Sequence, residues 1–253
     1  MSVAVVGGYL KILLTLYNKE LKETFGNSAV YILAGLFCLL MGGLFYNYVA
    51  LSPALHSGNL SSNVLVPLFG NMNFIFLFVA PLLTMRMFVE ERRSGTIDLL
   101  TLAHVTNYQI LISKLAASGT IALLMLVPTL IFPIILGFSG YHDWGVVCSC
   151  YLGTIFSIFC YLSVGLFSAC ATDNQVVAAI LGFSILLSSM LIVILGQLSQ
   201  NYLVSQMVSY LSVPFHYEGF VRGMVRSYNL VYFASFVTVF TYLSHKILEG
   251  RRE

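Results

Sequence analysis

Long runs of residues without Lys, Arg, Asp or Glu alternate with short charged stretches along this chain. The charge-free runs are residues 24–85, 115–142, 144–172, 174–217 and 227–245. A helix needs roughly 20 apolar residues to cross a bilayer. The first run is long enough for two crossings and each of the others for one, so the pattern predicts six membrane-spanning helices. We place them at residues 27–51, 65–87, 115–138, 146–171, 176–198 and 229–245.

Three further features are predicted around these crossings. Residues 10–25 mix apolar side chains with lysines, which favours an amphipathic helix lying on the cytosolic membrane surface over an unstructured basic tail. Pro128 and Pro133 indicate a bend in the third crossing. Residues 199–228 are too polar for a clean span and too apolar for a free loop. We interpret them as short re-entrant helices in the outer leaflet, broken near Pro214.

Composition and charge placement fix the class and the orientation. With 58% hydrophobic residues, 9% charged residues and a mean hydropathy of +0.90, the chain falls outside the soluble globular range. We predict an all-α membrane protein whose residues 1–253 form a single transmembrane domain. Cytosolic loops carry an excess of Lys and Arg, and a cytosolic N-terminus leaves Arg222 and Arg226 outside, so both termini are expected in the cytosol. The basic residues then on the cytosolic side are Lys11, Lys19, Lys22, Arg86, Arg92, Arg93, Lys114, Lys246, Arg251 and Arg252.

The charged stretch between the second and third crossings, residues 88–114, is the main candidate for function. Its first part can continue the second helix beyond the membrane, and Gly95 suits a helix C-terminus. Thr96 is a good N-cap, with Asp98 well placed in the next first turn. The pattern predicts a helix, a sharp turn and a short cytosolic coupling helix. The residues expected to meet a soluble partner are Glu90, Glu91, Arg92, Arg93, Gly95, Thr96, Asp98, Leu99 and Leu100.

This stretch resembles the permease subunits of type-2 ABC transporters, in which an acidic-basic-basic-small-Gly-Thr segment after the second crossing meets the ATPase. The extended match is similar to the gliding-motility type permeases. It includes residues 19–31, 81–91, 215–223 and 229–233. Two positions depart from that pattern, because His104 stands where the family usually has proline and Ser113 where it usually has glycine.

The resemblance implies a bacterial inner-membrane permease that couples ATP hydrolysis to export or to mechanical work. No Gly-Lys-Ser/Thr phosphate loop occurs, and no lysine follows a glycine, so a separate cytosolic ATPase is expected to bind ATP and Mg. Two ATPase subunits make a permease homodimer the default. An auxiliary protein on the outer side and membrane lipid are further partners, and nothing indicates nucleic acid. The alternatives are a non-transporting anchor of an extracytoplasmic complex and, with less support, an intramembrane enzyme.

Weaker candidates have two interpretations each. Asn71 and Asn73 in the second crossing suit helix contacts better than a substrate site. Arg222 and Arg226 on the outer side suit an ordinary interfacial position better than contact with substrate or lipid headgroups. The group of His142, Cys148 and Cys150 contains soft-metal ligand types. Residues two apart on a helix face different directions, so packing is favoured over metal binding for Cys148 and Cys150. The sequence does not indicate which substrate the permease would transport.

Overall fold

The structure is a computed structural model that describes residues 3–51, 61–93, 106–138, 141–198 and 210–250. A single π-helical turn, Ser61–Leu65, leads into the third helix, and a 3-10 turn, Val127–Leu130, joins the fourth to the fifth. The helices are α1 Val3–Phe25, α2 Ser28–Leu51, α3 Val66–Arg93, α4 Asn107–Leu126, α5 Ile131–Phe138, α6 Trp144–Ala171, α7 Gln175–Leu198, α8 Val213–Val221 and α9 Ser227–Gly250.

Six helical segments of the described chain are long and apolar enough to cross a membrane, as the hydropathy pattern predicts. The third of them joins α4, the 3-10 turn and α5 into one span. The spans are Ser28–Ala50, Asn63–Val89, Asn107–Phe138, Trp144–Ala171, Gln175–Ile192 and Ser227–Gly250. The molecule is therefore a helical, multi-pass membrane protein.

Helices α3 and α6 form the centre of the bundle. Their most apolar windows are 61% and 72% buried, against 22% for α2 and α7 and 11% for α9. The close approach of the two central helices depends on Gly165, because a Cβ atom there would overlap the Thr84 hydroxyl. Helices α2, α7 and α9 consequently present most of their apolar surface to the surroundings, as expected where lipid or another subunit replaces water.

The fourth helix begins earlier than the apolar pattern suggests. We expected the third crossing to start at residue 115, but α4 starts at Asn107. Thr106 is its N-cap, and the Thr106 N–H donates to Gln109 Oε1 at 3.0 Å, half of a capping box. Lys114, which we placed at the edge of the membrane segment, thus lies two turns inside a helix.

Pro128 interrupts a helical span and Pro214 starts a helix, whereas Pro81 lies inside α3. Pro128 lies in the 3-10 turn between α4 and α5, which interrupts the third span. Pro214 lies in the first turn of α8, directly after the non-helical residues 211 and 212, and the Ser212 hydroxyl accepts from the Phe215 N–H at 3.4 Å. Proline suits that position because it lacks the N–H that would have no partner there. Residues 199–209 of the predicted re-entrant segment lie outside the described residues.

Candidate functional site

Four charged side chains meet where α1, α3 and α4 come together, and we call this group, Lys19, Glu20, Glu91 and Lys114, the charge cluster. Glu91 lies near the C-terminal end of α3, within the stretch singled out in the sequence. The residue exposures are 4% for Glu20, 6% for Glu91 and 0% for Lys114. Three of the four members are therefore buried inside this single chain.

Lys114 is the centre of the charge cluster. Its Nζ lies 2.9 Å from Glu20 Oε1, 2.9 Å from Glu91 Oε2 and 2.7 Å from the Met87 carbonyl oxygen. The contacts with Glu20 and with the Met87 carbonyl are hydrogen bonds, and the contact with Glu91 is an ion pair. The ammonium also lies 4.9 Å from the centroid of the Phe88 ring. A lysine without solvent contact is thus fully engaged by α1 and α3.

Lys19 is the partly exposed member of the charge cluster. Its Nζ donates to Glu91 Oε1 at 3.1 Å and lies 3.5 Å from Glu23 Oε1. Burial acts to lower the pKa of Lys19, but the neighbouring carboxylates of Glu91, Glu23 and Glu20 together outweigh it, so that pKa is raised. Burial raises the pKa of Glu20, while the Lys114 ammonium acts in the opposite direction. Glu91 is accordingly held from both sides by lysines.

An apolar layer adjoins the charge cluster. Ser113 is also buried here, and its hydroxyl donates to the Ile110 carbonyl at 2.9 Å, so this serine fits the α4 packing. Removing water strengthens charge–charge contacts because the local dielectric constant falls. The buried residues of this layer are Met87, Phe88, Ile110, Leu111, Leu166, Ala169 and Cys170.

The remaining residues predicted to couple to an ATPase fall only partly within the described structure. Helix α3 runs to Arg93, so the backbone of residues 90–93 continues the second span as a helix. The side chains of Glu90, Arg92 and Arg93 lie outside the described part of the structure. The same holds for the whole of Gly95, Thr96, Asp98, Leu99 and Leu100.

The two asparagines of α3 point at other helices. Asn71 Nδ2 donates to the Tyr48 hydroxyl of α2. Asn73 is buried beside the Tyr161 hydroxyl of α6. Amides in such positions can tie helices together within an apolar environment.

The candidates at the opposite end of the bundle do not converge on one place. Arg222 pairs with Glu218 on the surface, and Arg226 Nη1 donates to the Tyr228 hydroxyl at 3.1 Å. The third candidate group contains His142, Cys148 and Cys150. Its two cysteines do not face one place, since Cys148 is exposed while the buried Cys150 thiol points to the Val221 carbonyl at 3.5 Å.

One acidic group among the described residues has the spacing of metal ligands, with carboxylate oxygens of Glu20, Glu23 and Glu91 within 4.8 Å of one another. Lys19 and Lys114 already supply compensating positive charge to all three. The arrangement is therefore best described as an ion-pair network between helices.

Sequence reasoning missed Lys114 and Glu20 as members of the site. A signal was present, because the sequence Thr106-Asn107-Tyr108-Gln109 has the capping-box spacing that starts a helix eight residues before Lys114. A lysine two turns inside an apolar helix needs a buried acid, and Glu91 was the nearest candidate in the preceding helix.

The fold and this site define a multi-pass helical membrane protein with a buried charge network at one end of the bundle. Residues 27–244 match the family described as ABC-2 family transporter protein, and the chain belongs to that family. Members of this family are membrane components of transporters and typically work with a separate ATPase subunit. A search of curated proteins finds no match.

Proposed function

We propose that this chain is the permease subunit of a bacterial inner-membrane ABC transporter, driven by separate cytosolic ATPase subunits. The family match over residues 27–244 carries the proposal. The six candidate spans and the charged end of α3 support it. The subunit uses the energy of ATP hydrolysis for export or for mechanical work, and its sequence motifs resemble those of the gliding-motility type permeases.

In the proposed orientation both termini face the cytosol, because that places ten of the twelve Lys and Arg residues inside. The charge cluster then lies at the cytosolic end of the bundle. Helix α1, which packs beside α4, lies along the cytosolic membrane surface. Helix α8 belongs to a re-entrant segment on the outer side.

The charge cluster gives the coupling a physical route. The docking surface consists of the charged end of α3 and the segment that follows it, and it takes up the movement of the ATPase. Glu91 lies at this end of α3 and is held by Lys19 of α1 and by Lys114 of α4. A displacement of the end of α3 therefore pulls on α1 and α4 as well, so three helices respond together.

Two copies of the chain provide two docking surfaces for two ATPase subunits, which is the default arrangement for such assemblies. The poorly buried helices α2 and α7 are available for contact between copies. A second permease copy and lipid then cover the apolar surface that each single chain leaves exposed.

The test is co-purification of an ATPase with the tagged chain from native membranes. The triple variant Glu90→Ala, Arg92→Ala, Arg93→Ala removes the predicted docking charges while keeping Glu91 in its network. We expect this variant to lose the ATPase and to keep its membrane insertion. The matched control, Arg222→Ala with Arg226→Ala, removes basic charge from the opposite end and should retain the ATPase. Retention by the triple variant, or no ATPase with the wild type, would overturn the proposal.

A further inference from the structure

A cavity of about 260 Å³ lies at the junction of α1 and α2, against the charged end of α3. One side is formed by the last turns of α1 and the link to α2, and the other by residues 82–91 of α3. The cavity therefore sits at the level where the apolar spans of α2 and α3 give way to charged residues.

The lining of this cavity divides by polarity. Its apolar part comes from the first turns of α2 and from α3, and includes Ile32, which is 70% exposed at the rim. Its polar part comes from the end of α1 and the last turns of α3. The polar lining residues are Glu20, Glu23, Thr24, Asn27, Arg86 and Glu91.

Both signs of charge are present at the polar part. Glu20 and Glu91 are buried and held by Lys114, but the Glu23 side chain is 56% exposed and lies 3.5 Å from Lys19. Arg86 Nη1 donates to Asn27 Oδ1 at 3.0 Å, which fixes the guanidinium beside the α1–α2 link. An occupant thus meets an accessible carboxylate and a guanidinium within one cavity.

An occupant that satisfies this lining has to be amphipathic. A water-soluble ion would leave the apolar part in contact with water, which is unfavourable in proportion to its area. A purely apolar molecule would remove water from the exposed Glu23 carboxylate and from the Arg86 guanidinium, which costs more. A membrane lipid meets both demands, because its headgroup lies at the depth of the charges and its chain at the depth of the spans.

We infer that this cavity binds a zwitterionic phospholipid whose headgroup carries a primary amine. The ammonium group donates to the Glu23 carboxylate and the phosphate accepts from Arg86, a charge-assisted arrangement at each end. The acyl chains leave the cavity past Ile32, between α2 and α3. This binding concerns the single chain and does not depend on whether the chain transports anything or meets an ATPase.

The test measures which lipid stays bound to the purified protein. Detergent-solubilised protein is incubated with equal amounts of phosphatidylethanolamine, phosphatidylcholine and phosphatidylglycerol, and retained lipid is counted by native mass spectrometry. We expect phosphatidylethanolamine to exceed phosphatidylcholine about fivefold, which corresponds to roughly 1 kcal/mol. Phosphatidylcholine has a phosphate and a positive charge but no N–H donor, so this pair isolates the contact with Glu23.

Two variants and one control locate the effect. Glu23→Gln should weaken the preference for the primary amine, because a neutral amide oxygen is a weaker acceptor than a carboxylate. Ala29→Trp, which fills the cavity, should reduce retention of every lipid. Glu218→Gln removes an exposed carboxylate elsewhere and should behave as the wild type. Equal retention of the three lipids, a preference for phosphatidylglycerol, or an unchanged preference in Glu23→Gln would each overturn the inference. Because Glu23 is exposed, its substitution leaves folding intact and the result interpretable.

Discussion

The two ends of helix α3 are held by different kinds of contact. At its C-terminal end Glu91 takes part in the buried charge cluster with Lys19 and Lys114. Near its N-terminal end the Phe69 carbonyl accepts from the Tyr217 hydroxyl of α8 at 2.9 Å. These positions lie about 33 Å apart along the helix at 1.5 Å per residue. One end is joined to its neighbours by ions and the other by neutral groups.

At the neutral end, α6 and α8 pack closely. The Ser149 hydroxyl of α6 donates to the Phe220 carbonyl of α8 at 2.8 Å. A Cβ atom on Gly153 would lie only 2.5 Å from the Phe220 Cβ atom, so α6 and α8 touch almost backbone to backbone. His216 is buried, and its Nε2–H donates to the Tyr210 carbonyl at 3.0 Å. Short side chains and backbone groups fix the position of α8.

This difference has consequences for movement. The ion pairs of the charge cluster join the tips of long side chains, and the attraction between opposite charges falls slowly with distance in a buried site. Helices α1, α3 and α4 can therefore shift relative to one another and remain attached. Contacts through Gly153 and the α8 backbone allow no such shift, because close-packed interiors resist small displacements. The charged end is thus the end suited to take up a push from a partner.

The strongest test of the comparison is Lys114→Met, which removes the centre of the charge cluster. It leaves Glu20 and Glu91 buried without their shared cation, and breaking a buried ion pair in this way costs about 3–5 kcal/mol. We expect a large drop in thermal stability of the purified protein and reduced ATPase co-purification. Unfolding followed by fluorescence in detergent measures the first effect.

Lys246→Met is the matched control for that change. Lys246 also bonds to a glutamate, Glu249 Oε2, at 2.7 Å, but both side chains are about half exposed. Surface ion pairs contribute little because water screens them, so this variant should unfold as the wild type does. If the two methionine variants lost stability equally, burial of Lys114 would not be what makes the charge cluster important.

A smaller effect is expected from Gly153→Ala at the neutral end. The added methyl group meets Phe220, and overpacking of this kind costs about 1–3 kcal/mol. Thermal unfolding should show the loss, while ATPase co-purification should stay unchanged because the charged end is intact. Gly43→Ala is the control, since a methyl group added there has no heavy atom within 4 Å. A Gly153→Ala protein that lost the ATPase would mean that the two ends are not separable.

The spans of this molecule were predictable because each is a long charge-free run, and hydrocarbon excludes charge regardless of what the neighbours are. The charge cluster was predictable only in part. Glu91 stood within a recognisable motif, but Lys114 was assigned to the membrane edge because the apolar run begins directly after it. The capping box at Thr106 moves the helix start and carries Lys114 inward. The hydropathy pattern and the capping box, applied together, are therefore sufficient to place Lys114 inside the helix.

The contacts around α8 could not be predicted from the sequence. Ser149 and Phe220 lie far apart in the chain, and neither has a neighbouring pattern that indicates the other. Gly153 in an apolar helix fits contact with lipid, helix or ligand equally well. Only the packing of α6 against α8 decides between these interpretations. Opposite charges in a sequence can suggest which residues pair, but uncharged partners give no such indication.

The smallest expected effect concerns Glu20, one of the two carboxylates beside Lys114. Burial raises the pKa of Glu20, with Lys114 opposing it, so the folded state holds a proton there more tightly than the unfolded chain does. Stability from this group is present at low pH and is lost as the pH rises from the ordinary glutamate pKa through the raised one. Glu20→Gln keeps an oxygen that accepts from Lys114 and removes the titration.

We therefore expect the stability of the wild type relative to Glu20→Gln to fall across that pH window, by about 1.4 kcal/mol for each unit by which the pKa is raised. Thermal unfolding of both proteins in detergent, repeated from acidic to neutral pH, measures the difference. A relative stability that rose with pH would show that attraction to Lys114 outweighs burial at Glu20. The charged end would then be held more tightly at neutral pH than its burial indicates, and its contrast with the neutral end of α3 would be weaker.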